Sequence, residues 1–447
     1  MQNFSPDLRG SLVTTHVTAD CGPVWVGLLD MDEAGPVAGM SGPPRAEHGQ
    51  ARILVRIHGV PIGFVKISVK PEDSLTARAR SAAEVTLADV LTQHAELDKE
   101  CDRQRGRTTW QGQMSCLARF PTHSDVGISV VVCTRDRPAM LRESLQSLQR
   151  MAYSPLEILV VDNAPTDGAT RAVVEELAAG DPRFRYTCEP HPGKSLALNH
   201  GLAAASYDLV ATTDDDVLVD PRWLSAISAA FAADPETICV TGMVASSALN
   251  TQSERYFDAR YSWGEGFQPR QYDLVGHRHP SRLYPFSAGV FGTGANCAFR
   301  RSAVVQLGGF DPLLGAGSPR RGGADLDMFV RVILAGGRIS YLPSALVWHR
   351  HRSDTQALAK QIYAYGHGLG AYLAKHFPNP QLRGALVSRG LHLVGTALRR
   401  QRMAAHASHM GFGGQQFALY EICGIIPGAI RYWIAARRPT TPFGDPH

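Results

Sequence analysis

Residues 128–163 read ISVVVCTRDRPAMLRESLQSLQRMAYSPLEILVVDN. Two runs in this stretch, ISVVVC and LEILVVD, are mostly apolar and β-branched, the pattern of strands buried on both faces rather than on one. Residues 138–151 between them read as a helix, and a second helix over residues 169–179 is followed by a third strand, FRYTCE. Strands alternating with helices imply an α/β fold with a mostly parallel sheet flanked by helices. In such sheets ligands bind beyond the carboxyl ends of the strands, so the residues just after each run are the candidates for chemistry.

The rest of the chain is organised around this unit. The 447 residues are 44% hydrophobic and 19% charged, enough apolar material for two or three cored domains and too much for a disordered chain. Lys+Arg 45 against Asp+Glu 41 leaves a net charge of +4, too small and too evenly spread for a nucleic-acid-binding protein. The eight cysteines include no CxxC pair, which argues against a disulfide framework or a zinc ribbon. With no basic-then-apolar leader at the start and no uninterrupted apolar stretch of spanning length, a cytoplasmic location is expected.

Residues 1–115 read as a small α+β unit. Its hairpin RILVRIHGVPIGFVKISV turns at Gly59–Gly63, a helix over residues 81–98 packs on it, and the polar residues 98–107 serve as a linker. Residues 126–352 form the α/β domain. Residues 353–447 form a helical extension in which 384–403 and 417–438 mix apolar residues with arginine, a composition suited to an anionic membrane surface or to packing on the domain before them.

Four strand ends and loops carry candidate chemistry. After the first strand comes Thr134-Arg135-Asp136-Arg137-Pro138 in place of a GxGxxG turn, which disfavours a dinucleotide cofactor. After the second, Asp162 stands where the donors of a nucleoside would be recognised, although a helix-capping turn would use the same residues. Pro192-Gly193-Lys194 opens a helix and could approach a phosphate, but the upstream glycine of a P-loop is missing. The apolar run ending in Asp214-Asp215-Asp216 is the strongest local signal, because adjacent carboxylates repel and a hard divalent cation relieves them. Beyond these lie GTGANCAFRR at 292–301, GGFD at 308–311, GGADLD at 322–327 and VWHRHR at 347–352. Asp325 and Asp327, two apart, should not share one face of a helix. His349 and His351 alternate as they would on one side of a strand.

These segments, in this order, resemble a family 2 glycosyltransferase with the GT-A nucleotide-sugar-binding fold, over residues 126–352. The resemblance implies that Thr134 and Asp162 hold the nucleotide base, with Arg135 and Lys194 in the donor pocket. Asp214 would contact the ribose, Asp215 would belong to the same donor site, and Asp216 would bind the Mn2+ or Mg2+ on the diphosphate. His349, or else His351, would complete the metal site. Asp325 corresponds to the acid of the family's Glu-Asp pair and so to the general base; the preceding Glu is Ala324 in this chain. Trp263, Asn296 and Asp327 are the candidates for contacts with a glycan or lipid-linked acceptor, and Asp327 is the reserve base. The expected reaction is inverting sugar transfer from a nucleotide-diphosphate donor to a hydroxyl. A non-catalytic nucleotide-sugar-binding module and a nucleotidyltransferase are the alternatives, separated by whether nucleoside diphosphate or pyrophosphate is released.

Overall fold

The computed structural model describes residues 22–69, 74–104, 123–261, 266–287, 289–317, 322–386 and 414–437. The chain opens with β1 (Val24–Asp30), β2 (Ala38–Gly39), β3 (Gln50–Ile57) and β4 (Val60–Ser68), followed by α1 (Leu75–Thr86) and α2 (Ala88–Gln104). The four strands form a sheet in the order β2-β1-β3-β4. β3 and β4 are the antiparallel hairpin turning at His58–Gly59, whereas β1 runs parallel to β3. The polar residues read as a linker from Asp98 onward continue α2 as far as Gln104, because KECDRQ contains good helix formers and no breaker.

The second sheet is built from β5 (His123–Thr134), β6 (Ser154–Asn163), β7 (Phe184–Glu189), β8 (Leu209–Asp214), β9 (Val217–Val219), β10 (Thr237–Ser246), β11 (Arg270–Tyr272), β12 (Asn296–Arg300) and β13 (Arg338–His349). Its order is β11-β13-β10-β12-β8-β5-β6-β7, with β9 on β13. β8, β5, β6 and β7 are mutually parallel, and β10 is parallel to β13; β12 lies antiparallel between β8 and β10. The helices α3 (Pro138–Gln149), α4 (Ala169–Gly180), α5 (Lys194–Ala204), α6 (Trp223–Ala233), α7 (Gln252–Arg260), α8 (Arg301–Gln306) and α9 (Ala324–Leu334) connect the strands. Ile128, Val130 and Val132 face one core with Leu141, Leu145 and Trp223, while Val131 faces another with Leu198 and Phe329. Burial of both faces explains the unbroken apolar runs.

The N-terminal sheet lies directly on this larger one. Val24, Val26, Leu28 and Leu54 share a core with Met243, Ala245, Leu346 and Trp348 of β10 and β13. The seam is also bonded: Val24 N–H donates to the Leu249 carbonyl (3.1 Å), and Arg56 bridges Asp30 and Asp220 at 2.7 Å each.

Beyond β13 the described residues include two long helices, α10 (Thr355–His376) and α11 (Gly414–Ala436). They run parallel with their backbones in contact, through Gly366 and Gly370 on α10 and Gly424 and Gly428 on α11. A Cβ added at these positions would stand 1.8, 1.9, 2.4 and 2.0 Å from the nearest carbonyl oxygen of the facing helix. On its other side α10 touches the loop before α9, where Gly323, in the left-handed region at φ 84°, would place a Cβ 2.9 Å from the Gly368 carbonyl.

Candidate active site

The carboxyl ends of β5, β6 and β8 and the end of β13 converge on one charged site. Asp214 ends β8 and His349 ends β13, while Asp216 sits in the tight turn into β9. One ligand atom from each of the three lies within 4.8 Å of the others, the only such grouping among the described residues. Two carboxylates and an imidazole are the donor set that suits a hard or borderline divalent cation, so the residues fit a metal there.

Positive charge rings the cluster. Lys194, at the start of α5, pairs with Asp214 Oδ1. Arg137 Nη1 reaches Asp215 Oδ1 at 3.1 Å and Asp216 Oδ2 at 3.3 Å, and Arg352 approaches Asp216 Oδ2 at 3.5 Å. Burial would raise the Asp216 carboxyl, but His349, Arg352 and Arg137 outweigh it and hold the group well below the usual carboxylate range. Burial and the neighbouring Asp216 push Asp215 the other way, upward. The two neighbours therefore differ in acidity, Asp216 being the one held ionised.

Asp215 is turned inward. Its Oδ2 accepts from Thr134 Oγ1 at 2.7 Å, so these two residues satisfy each other and fix Arg137 instead of offering free groups to a donor. Arg135 is exposed and lies beside Asp136. Asp162 is fully buried at the end of β6; its Oδ2 accepts from Tyr186 Oη at 3.1 Å, and its Oδ1 has no hydrogen-bond partner among the described residues. Burial raises its carboxyl pKa. Asn163 holds the next loop by accepting from Gly193 N–H at 2.8 Å and donating to the His191 carbonyl at 2.7 Å, which sets the start of α5 and therefore Lys194.

Asp325, in the first turn of α9, accepts from Gly294 N–H at 2.8 Å and from its neighbour Leu326 N–H at 2.9 Å. Burial pushes the Cys297 thiol up to about 12, with Asp325 and Asp214 adding to the rise and Lys194 and a contact with Thr212 opposing it. Burial raises the Tyr365 phenol of α10, with Asp216, Asp325 and Asp214 adding to it against the hydrogen bond its Oη accepts from Gln361 Nε2 at 2.9 Å.

Two acceptor candidates belong to the core instead. Asn296 is buried: its Oδ1 accepts from Trp223 Nε1 at 2.8 Å, and its Nδ2 donates to the Met243 and Ala345 carbonyls at 3.0 and 2.7 Å. With its amide fully used in cross-linking β10, β12 and β13, it cannot turn to a ligand. Asp327 is also inaccessible, enclosed by Arg331 (2.8 Å), Lys375 (2.8 Å) and His376 (3.0 Å); the His376 hydrogen bond and the Lys375 and Arg331 charges hold its carboxyl down at about 2 against burial. It ties α9 to α10, and so cannot stand in as base. Trp263 lies outside the described residues. His351 is one layer behind His349, with 3.2 Å between their Nδ1 atoms, and its Nε2 meets Ser246 Oγ at 2.8 Å. Of the two histidines, His349 reaches the cluster.

Sequence reading passed over Arg137, Arg352 and Tyr365. The two arginines stand within the quoted TRDRP and VWHRHR segments, and a surplus of positive charge beside three aspartates was the available signal. Tyr365 carries none, being one aromatic in an amphipathic helix.

The profile of Glycosyl transferase family 2 matches residues 129–308. Succinoglycan biosynthesis protein ExoM of Rhizobium meliloti is 32% identical over 263 residues, 57% of this chain and 76% of the relative. The chain belongs to glycosyltransferase family 2. Its sheet and flanking helices are the GT-A fold of that family. A second family 2 relative, the pre-mycofactocin glycosyltransferase of Mycobacterium tuberculosis, is 30% identical over 287 residues, 63% of this chain. The chain spans only 55% of that relative's length. A solved mannosyltransferase from Pyrobaculum calidifontis, in complex with GDP-Man and Mn2+, overlaps 81% of this chain and 99% of its own at 18% identity and a TM-score of 0.48.

Proposed function

We propose that this family 2 chain transfers a glycosyl unit from a nucleotide-diphosphate sugar to an acceptor hydroxyl, with inversion, using Mn2+ or Mg2+ held by Asp214, Asp216 and His349. The observation that carries the reading is the grouping of those three ligand atoms within 4.8 Å, ringed by Lys194, Arg137 and Arg352. A bound cation would neutralise charge on the departing diphosphate.

The residues divide the remaining work. Asp162 marks the base end of the site, and its buried Oδ1 accepts an N–H of the base only if donor binding uncovers it. Lys194, Arg137 and Arg352 draw the diphosphate to the cluster and stabilise the charge that develops on it. Asp325 is oriented by two backbone N–H groups and takes the proton of the acceptor hydroxyl as that oxygen bonds to the anomeric carbon. The bond from that carbon to the diphosphate breaks, and its electron pair leaves with the diphosphate.

The outer face of α11 bears on the acceptor. Leu419, Ile422, Ile426, Ile430, Trp433 and Ile434 are exposed along one side, with Arg431 and Arg437 exposed at its carboxyl end. No helix among the described residues is long and apolar enough to cross a membrane. An apolar stripe ending in arginine and tryptophan suits the surface of an anionic bilayer, and a lipid-linked acceptor would be met there. Flotation of the full chain with anionic vesicles, abolished in Ile426→Ser/Ile430→Ser, tests this part; no flotation of the unaltered chain removes it.

The reaction itself is tested by incubating the protein with a panel of nucleotide sugars and measuring nucleoside diphosphate with Mn2+, Mg2+ or chelator. Metal-dependent release from one donor supports the reading. Release of pyrophosphate, or binding of a donor without turnover in the presence of an acceptor panel, refutes it.

A further inference from the structure

A chain of buried polar contacts runs from the cluster into the N-terminal sheet. His349 Nε2 lies 3.3 Å from Asp216 Oδ1, and its Nδ1 lies 3.2 Å from His351 Nδ1. His351 Nε2 is 2.8 Å from Ser246 Oγ, which donates to Asp258 Oδ1 at 2.6 Å. Asp258 Oδ2 accepts from Arg52 Nη1 at 2.6 Å. Every member from His349 to Arg52 is buried, and Arg52 belongs to β3, more than 160 residues before Asp216 in the chain. The fold brings them together because Ser246 pairs in register with His349 on adjacent strands, while α7 presents Asp258 to the N-terminal sheet packed on those strands.

The protons along this path are not free to choose. Burial would raise the Asp258 carboxyl, but the Arg52 charge and the Ser246 hydroxyl outweigh it and hold it below its ordinary range. Asp258 is therefore an anion that only accepts. Ser246 has a single proton, and at 2.6 Å from a carboxylate that proton goes to Asp258. Its oxygen then accepts from His351 Nε2–H, which leaves His351 Nδ1 as an acceptor. That nitrogen takes the proton of His349 Nδ1–H, so Nε2, 3.3 Å from Asp216 Oδ1, is the His349 nitrogen left for a cation. Reversing the order would place two acceptors, Ser246 Oγ and Asp258 Oδ1, in contact without a proton, a costly arrangement in a buried site.

We propose that Arg52 is a positioning residue for the metal site: acting through Asp258, Ser246 and His351, it fixes the tautomer of His349 that presents Nε2 to a divalent cation. The N-terminal sheet is in this account part of the catalytic unit, supplying the outermost charge of the shell that orients a ligand. Partners of this kind set both the ring orientation and the basicity of metal-binding histidines. The proposal rests on the metal-site reading above, and its test separates the two.

The test is Mn2+ affinity of the full-length protein, measured without donor by titration calorimetry and by loss of the free Mn2+ electron paramagnetic resonance signal. Thermal unfolding is recorded for each variant. Arg52→Met and Ser246→Ala break the path at its outer end and in its middle and should each weaken Mn2+ binding about 10-fold or more, within the range usual for such shells. Arg52→Lys restores the charge and should recover part of the loss. Arg56→Met removes a different ion pair across the same seam, with Asp30 and Asp220, and should leave Mn2+ affinity unchanged. Asp216→Asn should abolish binding. Folded Arg52→Met and Ser246→Ala proteins that bind Mn2+ within twofold of the unaltered chain, when Asp216→Asn does not bind, would overturn the positioning role alone. Should Arg52→Met not fold, Ser246→Ala decides it. Undiminished binding in Asp216→Asn overturns the metal site and the positioning role together.

Discussion

Replacing Gly366 and Gly370 by alanine sets two physical effects of opposite sign against each other. Alanine is favoured over glycine in a helix interior by about 0.8–1 kcal/mol, so propensity alone makes the double variant more stable by roughly 2 kcal/mol. Packing predicts the reverse. The two methyl groups would stand 1.8 Å from the Glu421 carbonyl and 1.9 Å from that of Ile425, whereas real Cβ atoms essentially never come closer than 3.0 Å. The seam between α10 and α11 must therefore open by more than 1 Å. α10 is pinned from behind by the Gly322–Gly323 loop at Gly368, so α11 is the helix that moves. Overpacking of this kind costs about 1–3 kcal/mol. The bonds from Tyr432 Oη to Asp311 and from Trp433 Nε1 to the Ala374 carbonyl, both 3.1 Å, lie on the moving helix and add about 1 kcal/mol each when lost. After subtracting the propensity gain, the net loss is roughly 1–3 kcal/mol, or about 1–3 °C in Tm for a cooperative unit of this size. Differential scanning fluorimetry measures it, with Gly180→Ala as the control because nothing lies within 4 Å of that site. A double variant as stable as the unaltered protein would refute the closed seam.

Other consequences can be checked alongside. Asp325→Asn should lower turnover about 10²–10⁴-fold with donor affinity retained, since a general base acts on the acceptor; near-normal turnover would remove Asp325 from that role. The same change leaves one of the Gly294 and Leu326 N–H groups facing an amide N–H, so unfolding by urea should show a loss of about 1–3 kcal/mol. The Asp327 carboxyl is depressed in the folded state to about 2, so its stabilisation is fully present above the unfolded pKa of about 4 and is lost as pH falls through the folded value. Asp327→Asn should therefore destabilise by about 3–5 kcal/mol near neutrality, leaving Arg331 and Lys375 without their counter-ion, and its disadvantage should shrink between pH 4 and pH 2. A gap independent of pH in that window would contradict the ion cluster.

Much of this was legible in the chain because it rests on local pattern. A strand covered on both faces must be apolar throughout, so Ile128–Thr134 and Leu156–Asn163 declare themselves. Three adjacent aspartates at a strand end announce a site, and helical spacing rightly separates Asp325, held beside Gly294, from Asp327, sealed behind it. What depends on distant partners was not legible. Asn296 and Asp327 look like polar residues free for a substrate until Trp223, 73 residues earlier, and Lys375, on another helix, are seen to use them. The apolar second face of the N-terminal sheet reads as core from sequence, yet what it covers is β10 and β13, because nothing in a strand's own pattern says which sheet it meets. Gly424 and Gly428 read as interruptions of a short apolar stretch and turn out to be where α10 approaches.

The account stands or falls on where the cation sits. Crystals grown with Mn2+ and a nucleoside diphosphate, measured at a wavelength where manganese scatters anomalously, locate it directly. The account predicts a single strong peak between Asp216, Asp214 and His349, with the diphosphate on the side of Lys194, Arg137 and Arg352. A nucleotide bound at Asp162 with no manganese at that cluster, or manganese held by other residues, would contradict it.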